Sequence, residues 1–534
     1  MMTFRTAVLA CTASLSGIVL AEAPLPETRR LLSDYVRRFN AADEECYTNA
    51  IPNAGAEAFL LANVPRFACP DRTIEETYYF RWWTYRKHLR HDIGVWTVSE
   101  FMPRVPWSGA GNTIVCAAGH HLREGRWLRD PQYMTDFVRF WLADGRSKNH
   151  RWGYSSWLFT GAKSVADVSG RDELAYELLD AAVRYYERWE KGFVHKLWPE
   201  KGKGHMGGDG KGGFLSIPAL EGTEYSLGGY GYRPLLAAAM WSEARTIADV
   251  ARRAGRAELA AKYEAKAESV ARQLEAHCWS DQLGFFTTGR RDGRKGTVRE
   301  LIGYAPWYFG VPTPHRADWS QLEDSQGFAG RVGISFPERR APGFTLKMYP
   351  KAGCRWDGPS WPFATSIALT AFANDLQRRM TAGGSEPALS ASYRRLLHQY
   401  AAQHRFTHPR TASAPERTVP WIDEDLNPDT GEWMARSILM RRKNRLYERG
   451  KDYNHSTFCD LVISGLVGFR PRGADGFEVC PLADPEWDYF VLENLRYRGH
   501  DVTIRYQRGK GLSVAVDGKM TARRADLGLL AVVI

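Results

Sequence analysis

The hydrophobic and polar positions of the chain follow a helical period over most of its length. Between residues 24 and 470, apolar residues recur at spacings of three and four positions, as on one face of a helix. The clearest segments are 131–144, 171–190, 233–254, 256–277, 360–377 and 389–404. Pro131 stands at a helix start, and Gly145, Gly170 and Gly255 stand where helices end. The pattern predicts paired helices, with 233–254 and 256–277 forming one hairpin.

The periodicity changes near the C-terminus. After Gly465, alternating or β-branched residues occur in FEVCPL (477–482), YFVLENL (489–495), DVTIRY (501–506) and LSVAVDG (512–518), which indicates strands. The sequence has no fixed-period repeat of the kind that builds a solenoid. We therefore predict a mainly α-helical domain over residues 24–470 and a small β-rich appendage over residues 471–534.

The N-terminus has the composition of a secretory signal peptide. Arg5 supplies a positive charge, residues 7–21 are apolar, and Ala21 and Ala23 are small residues suited to cleavage. No later segment approaches the roughly 18 uninterrupted apolar residues of a membrane span. We expect residues 1–23 to be removed, the mature chain to be periplasmic or secreted, and no segment of it to span a membrane.

Composition and charge exclude a few function classes. The 534 residues include 19 Trp, 24 Tyr and 24 Phe, and such rings either stack on sugars or fill a large core. The net charge is +11, but Lys and Arg are interleaved with Asp and Glu, without a nucleic-acid motif. The sequence also has no serine-esterase elbow, no Walker loop and no Rossmann glycine fingerprint followed by strand-helix context. We therefore expect neither nucleic acid nor a cofactor as a partner.

One candidate acid lies in a glycine-rich loop, residues 200–232. Long stretches without periodicity in a compact domain are often functional. Glu224, in EGTEYS (221–226), precedes the helix at 233–254 and is followed by tyrosines and glycines. A carboxyl group among aromatic rings is partly desolvated, which raises its pKa and suits a general acid. A solvated surface glutamate is the alternative interpretation.

A second group of acids lies in WIDEDLNPDTGEW (421–433) and includes Glu424. The spacing resembles a calcium loop, but Pro428 occupies the position that needs glycine, and Met434 the position of the bidentate acid. Two interpretations remain: a turn rich in Asp and Asn before a helix, or a catalytic carboxylate on a rigid Asn-Pro turn.

Several other segments carry candidate substrate contacts. In RWDGPSWP (355–362), Trp356 and Trp361 could stack on a sugar and Asp357 could accept from its hydroxyls, or the tryptophans could only fix a helix entry. The HHxxE run at 120–124 lacks the second spaced histidine of known zinc motifs, so we predict no metal site. The remaining candidates are Arg81, Trp82, Arg86, His88, His120, His121, Glu124, Trp127, Tyr232, Arg233 and His455.

Together these motifs resemble the mannosylglycerate-hydrolase-like branch of the six-hairpin glycosidases, near glycoside hydrolase family 63 and the trehalases. In that group a G-x-D-x-S segment supplies the acid, and residues 222–226 resemble it with Glu224 in place of Asp. The base lies in E-x-Y-N-P-x-T-G, which residues 424–431 resemble with Leu426 in place of Tyr. RWDGPSW is similar to motifs of family 63 and the trehalases, and residues 480–506 look like the β appendage of related enzymes.

The resemblance implies an (α/α)6 toroid with a small C-terminal β appendage and glycosidase activity. It also implies inversion, with Glu224 as general acid and Glu424 as general base, which requires carboxyl groups about 6.5–9.5 Å apart. A toroid that gathers its loops at one mouth would bring the two residues together. Glutamate in place of aspartate at position 224 adds one methylene of reach to the acid.

The sequence leaves the substrate open. The arginines and histidines could bind many hydroxyls, or an acidic sugar such as a uronate. A polysaccharide lyase that acts on a uronate-containing glycan, with Tyr230, Tyr232 or His120 near the reacting group, is one alternative function. A non-catalytic carbohydrate-binding protein is the other. The oligomeric state is not predicted.

Overall fold

The computed structural model describes residues 25–194, 205–347, 354–410 and 415–534. The predicted signal peptide, residues 1–23, lies outside the described residues. The α-helices are α1 (Thr28–Ala42), α2 (Asn53–Asn63), α3 (Arg72–Lys87), α4 (Ala118–Gly125), α5 (Gln132–Leu142), α6 (Leu158–Ser169), α7 (Asp172–Lys191), α8 (Pro234–Arg253), α9 (Ala257–Cys278), α10 (Ala305–Phe309), α11 (Pro362–Thr381), α12 (Pro387–Ala402), α13 (Met434–Arg441) and α14 (Phe458–Asp460). Within the described ranges, none of these helices is long and apolar enough to cross a membrane.

The six helices predicted from periodicity are confirmed as α5, α7, α8, α9, α11 and α12. Proline occupies the first turn of α8, α11 and α12, where its missing N–H removes no helical hydrogen bond. Gly170 ends α6 in the left-handed conformation (φ 76°), which glycine adopts without steric penalty. Local sequence signals therefore set these helix boundaries.

The helices form a closed ring. Successive contacts join α4 to α6, α6 to α8, α8 to α10, α10 to α11, α11 to α12 and α12 to α3. Helix α14 contacts both α3 and α4, which closes the ring. Helix α8 is buried on nearly all sides, as an inner helix must be. Its partner α9 buries only one stripe, whose spacing of three and four residues marks an outer helix: Ala260, Tyr263, Ala267, Val270, Leu274 and Cys278. The predicted mainly α-helical (α/α)6 toroid is confirmed.

The strands are β1 (Arg66–Ala68), β2 (Leu89–Arg90), β3 (Thr97–Val98), β4 (Phe193–Val194), β5 (His205–Gly208), β6 (Phe214–Ser216), β7 (Gly231–Tyr232), β8 (Trp279–Ser280), β9 (Phe285–Phe286), β10 (Arg405–His408), β11 (Arg417–Pro420), β12 (Phe469–Pro471), β13 (Phe477–Val479), β14 (Tyr489–Tyr497), β15 (His500–Gln507), β16 (Gly511–Val516), β17 (Lys519–Arg524) and β18 (Leu530–Val532). Strands β13 to β16 confirm the four predicted at the C-terminus. The other short strands lack the length that would make a period of two visible in the sequence.

The C-terminal appendage contains two antiparallel sheets. One has the order β1-β14-β15-β16-β17 and the other the order β12-β13-β18. Strand β1 comes from the N-terminal part of the chain and pairs with β14 through Arg66–Glu493 and Ala68–Val491. The sheet is therefore completed by residues far outside the predicted appendage.

The glycine-rich loop has more structure than predicted. Strands β4 to β7 form a four-stranded antiparallel sheet that includes parts of residues 205–232. The strands are two to four residues long, and β5 and β7 contain glycine, so they give no strand signal in the sequence. This sheet supports the segment 217–230 immediately before α8.

Candidate active site

A cavity of about 370 Å³ lies at one mouth of the toroid. Its walls are segments that immediately precede α4, α6, α8, α11, α13 and α14. The loops therefore meet at one mouth, as the toroid implied. The lining residues are Glu100, Phe101, Trp107, Ile114, Cys116, Tyr154, Gly222, Glu224, Tyr225, Cys354, Trp356, Trp361, Phe363, Glu424, Arg449, Tyr453 and His455.

Glu224 faces the cavity from the loop before α8. Its backbone carbonyl accepts a hydrogen bond from the Trp356 amide at 3.0 Å, which joins this loop to the one before α11. The Cys354 thiol donates to its Oε2 at 3.5 Å. Burial raises the pKa of the Glu224 carboxyl, and the Glu424 carboxylate raises it further. A carboxyl with a raised pKa keeps its proton nearer to neutral pH, as a general acid requires.

The loop that carries Glu224 is held by a buried ion pair. The Arg233 guanidinium donates to Glu221 Oε2 at 2.5 Å, and neither side chain is exposed. Arg233 also donates to Thr223 Oγ1 at 3.0 Å, Ser226 Oγ at 3.1 Å and the Gly229 carbonyl at 3.0 Å. One side chain thus fixes the backbone on both sides of Glu224.

Glu424 faces the same cavity from the loop before α13. Arg449 donates to both of its carboxylate oxygens, from Nε to Oε1 at 2.6 Å and from Nη2 to Oε2 at 3.1 Å. The Glu424 side chain is 4% exposed. A bidentate guanidinium favours the ionised form of a carboxyl group and fixes its orientation. Two hydrogen bonds from one cation therefore hold the Glu424 carboxyl in a fixed orientation beside the cavity.

The turn after Glu424 has the predicted rigid form. Asn427 Oδ1 accepts hydrogen bonds from the backbone amides of Asp429 at 3.0 Å and Thr430 at 3.2 Å, which makes an Asx-type turn before α13. Leu426 and Ser360 exchange two backbone hydrogen bonds at 2.8 and 2.9 Å. The segment that carries Glu424 is thereby tied to the tryptophan-containing loop.

Two tryptophans form a stacked pair in the cavity wall. The rings of Trp356 and Trp361 lie 4.1 Å apart between centroids and within 5° of parallel. The Trp361 indole donates to the Arg355 carbonyl at 2.7 Å, whereas Trp356 Nε1 has no hydrogen-bond partner among the described residues. His455 also lines the cavity. The structure thus brings Trp356, Trp361 and His455 together with both candidate carboxyls.

The other predicted substrate contacts do not line the cavity, which corrects the prediction that they touch a ligand bound there. Arg81, His88 and His121 each hydrogen-bond to a backbone carbonyl in the segment 452–454. Glu124 accepts from the amides of Cys459 and Asp460 at 2.8 and 2.7 Å, and so caps α14. These side chains lie behind the residues that line the cavity and hold those residues in place. Each of them is already bonded within the protein, although Arg81 Nε and His121 Nδ1 lack partners among the described residues.

The remaining corrected residues also pack or bind elsewhere, although the ring nitrogens of Trp82 and His120 lack hydrogen-bond partners among the described residues. Their burial has structural causes: Trp82 and His120 pack among aromatic rings, Arg86 binds the Ile51 carbonyl and Asn53, Trp127 donates to Asp460, Tyr232 stacks on His277, Arg233 pairs with Glu221, and Asp357 pairs with Arg355. A buried polar side chain must find such partners, because leaving it unpaired is costly. A sequence rich in arginine and histidine therefore does not separate contact residues from supporting ones.

Several cavity residues carried no recognised motif. Glu100, Tyr154 and Arg449 lie in segments without helical periodicity, which is the one sequence signal that could have pointed to them. Cys116 and Cys354 are free thiols that also line the cavity. In the described part of the chain, no group of three or more His, Cys, Asp or Glu side chains could hold a metal ion.

The chain is similar to one known protein family and to several solved structures. The model of the family described as "Mannosylglycerate hydrolase MGH1-like glycoside hydrolase domain" matches residues 110–198 and 216–456, which include Glu224 and Glu424. A solved structure named "Sialidase" is 31% identical with a TM-score of 0.82, and the match covers 95% of this chain and 44% of that one. This chain therefore spans less than half the length of that protein.

A family 78 rhamnosidase of Bacillus sp. GL1 is 13% identical with a TM-score of 0.50, and the match covers 85% of this chain and 41% of that one. At this identity the likeness concerns the fold alone. The family match extends over more than half of the chain and includes the loops that carry both candidate carboxyls. The chain belongs to the mannosylglycerate hydrolase MGH1-like glycoside hydrolases.

Proposed function

We propose that this protein hydrolyses a glycosidic bond with inversion, with Glu224 as general acid and Glu424 as general base. The observation that carries the proposal is that a buried carboxyl with a raised pKa and a carboxylate held by arginine face one cavity. The acid would protonate the leaving oxygen. The base would take a proton from the water that attacks the opposite face of the sugar.

The stacked Trp356 and Trp361 pair supports a sugar as the ligand, because aromatic faces pack against the apolar faces of sugar rings. The cavity is walled by six loops, so we also propose that it accepts a chain end rather than the middle of a polymer. The groups of the lyase alternative do not line this cavity: Tyr230 donates to the His205 carbonyl at 3.1 Å, Tyr232 donates to Asp209 at 3.1 Å, and the His120 ring packs against Phe363.

The proposed function is tested with a panel of aryl glycosides and short oligosaccharides. We expect release of a reducing sugar, and proton NMR should show that the first anomer formed has the opposite configuration to the substrate. Retention of configuration would remove the proposed roles but keep the hydrolase activity. An unsaturated uronate product, detected by its ultraviolet absorbance, would favour a lyase instead.

Export of the chain is also a proposal. Residues 1–23 have a positive start, an apolar stretch and small residues at the end. N-terminal sequencing of protein recovered from the periplasm or medium of the native host should begin near residue 22 or 24. Recovery of the chain with residue 1 or 2 at its N-terminus would contradict cleavage.

The Cys354 thiol is expected to be dispensable for catalysis. Burial, together with the Glu224 and Glu424 carboxylates, raises its pKa, so it stays protonated and is a poor nucleophile. Cys354→Ala should therefore keep kcat within about tenfold of wild type. The thiol lowers the pKa of Glu224 by hydrogen bonding, so its removal should move the alkaline limb of kcat/KM to higher pH. Cys116→Ala is the matched control, and a loss of more than about 1,000-fold in Cys354→Ala alone would indicate a thiol nucleophile.

A further inference from the structure

A third carboxyl group faces the cavity. Glu100 lies on the segment between β3 and α4, is 5% exposed, and lines the cavity with Glu224 and Glu424. Tyr453 donates a short hydrogen bond to its Oε1, whereas its Oε2 has no hydrogen-bond partner among the described residues. A two-acid mechanism uses only Glu224 and Glu424, so it gives Glu100 no part.

Glu100 belongs to a wall built from two connected segments. The Asn454 amide donates to the Glu100 carbonyl at 3.1 Å, and Asn454 Nδ2 donates to the Ser99 carbonyl at 3.4 Å. The Tyr453 ring lies 3.8 Å from the His455 ring between centroids. The arginine and histidines behind this wall hold the segment 452–454 in place. The position of the Glu100 carboxyl is therefore fixed by the fold.

Several buried polar atoms in this part of the cavity lack hydrogen-bond partners, as some do elsewhere among the described residues. Both ring nitrogens of His455, the Nε1 of Trp356 and the Oε2 of Glu100 are buried and lack partners among the described residues. Buried polar groups without partners are rare, because each costs the free energy of its lost hydration. Their position around one cavity indicates a ligand that supplies several hydroxyl groups.

The charge of the cavity restricts that ligand further. Among the described lining residues, Glu100, Glu224 and Glu424 are acids and Arg449 is the one arginine or lysine. Arg449 already donates to both oxygens of Glu424. A sugar carboxylate would therefore meet three acidic side chains and an arginine that is already paired, although the chain as a whole has a net charge of +11.

We propose that Glu100, His455 and Trp356 form the subsite for the sugar whose bond is cut, and that this subsite selects a neutral sugar over one that carries a carboxylate. The inference rests on the proposed hydrolase function. Glu100 donates a hydrogen bond from Oε2 to a sugar hydroxyl while Oε1 accepts from Tyr453. It binds the substrate and is neither the acid nor the base of the reaction.

The protonation of Glu100 agrees with this role. Burial raises its pKa to about 8, and the Glu424 and Glu224 carboxylates add to the effect. Below that pH the carboxyl is neutral and can donate. Above it the carboxylate cannot donate and adds a negative charge to the cavity. The titratable or charged groups that face it are Tyr453, Glu224, Glu424, Arg449, Cys116, Tyr154 and His455.

The charge preference is tested with matched pairs of p-nitrophenyl glycosides: glucosides against glucuronides and galactosides against galacturonides, in both anomers, with a neuraminic acid glycoside added. We expect kcat/KM for the best neutral substrate to exceed that of its uronide by about 100-fold or more, since the described lining residues offer a buried sugar carboxylate no cation that is not already paired. Faster hydrolysis of a uronide or of the neuraminic acid glycoside, abolished by Glu224→Gln, would overturn the inference and keep the hydrolase function. Hydrolysis of no compound in this panel or among the oligosaccharides would contradict the proposed function.

The role of Glu100 is tested by binding, in a Glu224→Gln background that removes the titration of the acid. The probe is the neutral monosaccharide that the wild-type protein releases fastest. Its Kd should rise about tenfold from pH 7 to pH 9, because a group with a pKa of about 8 is roughly one tenth protonated at pH 9. Addition of Glu100→Gln should make Kd independent of pH, since the amide keeps an acceptor for Tyr453 and a donor for the sugar. The same pH dependence with and without Glu100→Gln, or none in either protein, would overturn the assignment.

Discussion

Replacing Glu424 by glutamine is expected to lower kcat by roughly 10²–10⁴-fold, the usual contribution of a general base. The amide has nearly the same shape as the carboxylate and keeps an acceptor for Arg449, so the fold should survive. Glu224→Gln should cause a loss of similar size with a poor leaving group, because it removes the proton donor. Steady-state kinetics on the best substrate of the panel, with circular dichroism and Tm as checks on folding, measure both.

Substrates with different leaving groups distinguish the role of Glu224 as acid from that of Glu424 as base. A dinitrophenyl glycoside needs little protonation of its leaving oxygen, so Glu224→Gln should recover much of its activity on that substrate, whereas Glu424→Gln should not. Glu432→Gln is the matched control, since Glu432 lies in the same loop but does not line the cavity. Equal recovery in both variants would contradict the assignment of roles, and near-normal turnover in either would remove that residue from the mechanism.

The Glu221→Gln variant is expected to lose about 3–5 kcal/mol of stability. Arg233 and Glu221 are both fully buried, and removal of Glu221 leaves the buried guanidinium with only the more distant Glu300 carboxylate, at 4.0 Å. The Glu221 carboxylate also accepts from the Leu236 amide at 3.2 Å, in the first turn of α8. Urea unfolding at neutral pH, followed by circular dichroism, measures the loss.

A double variant separates stability from positioning. When both partners of a buried ion pair become apolar, stability often returns, because no unpaired charge remains. Glu221→Leu with Arg233→Leu should therefore be more stable than Glu221→Gln. Its kcat should still be lower than that of the wild-type protein, because it lacks the hydrogen bonds from Arg233 to Thr223, Ser226 and Gly229 that hold the Glu224 loop. Recovery of both properties would show that Arg233 does not position the loop.

The sequence predicted the elements whose signals are local. Helices such as α8 and α9 have apolar spacing and end signals within their own residues, so their bounds agree with the structure. Glu224 and Glu424 were found because each lies in a short motif with a turn or glycines beside it. Their shared cavity is a property of the ring, which a resemblance to known toroids supplied.

The sequence did not distinguish the residues that line the cavity from those that pack behind them. Arg81 and His121 have the residue types of a sugar site, yet they bind backbone carbonyls of the wall. Which face of a buried helix points to the cavity depends on the tertiary packing, and α3 is buried on almost every side. Glu100 lines the cavity but was not predicted, because its segment has no motif and its neighbours in the cavity come from distant parts of the chain.

The pairing of β1 with β14 limits how early during synthesis the sheet that contains them can be completed. The Val64 carbonyl beside it accepts from Asn494, a residue 430 positions later in the chain. At translation rates of 5–20 residues per second, β1 leaves the ribosome roughly 20 to 90 s before its partner strand is synthesised. During that interval β1 has no β14 to pair with, so the five-stranded sheet cannot be completed. Synthesis of β14, rather than emergence of the helices before it, therefore sets the earliest time at which this sheet can be completed.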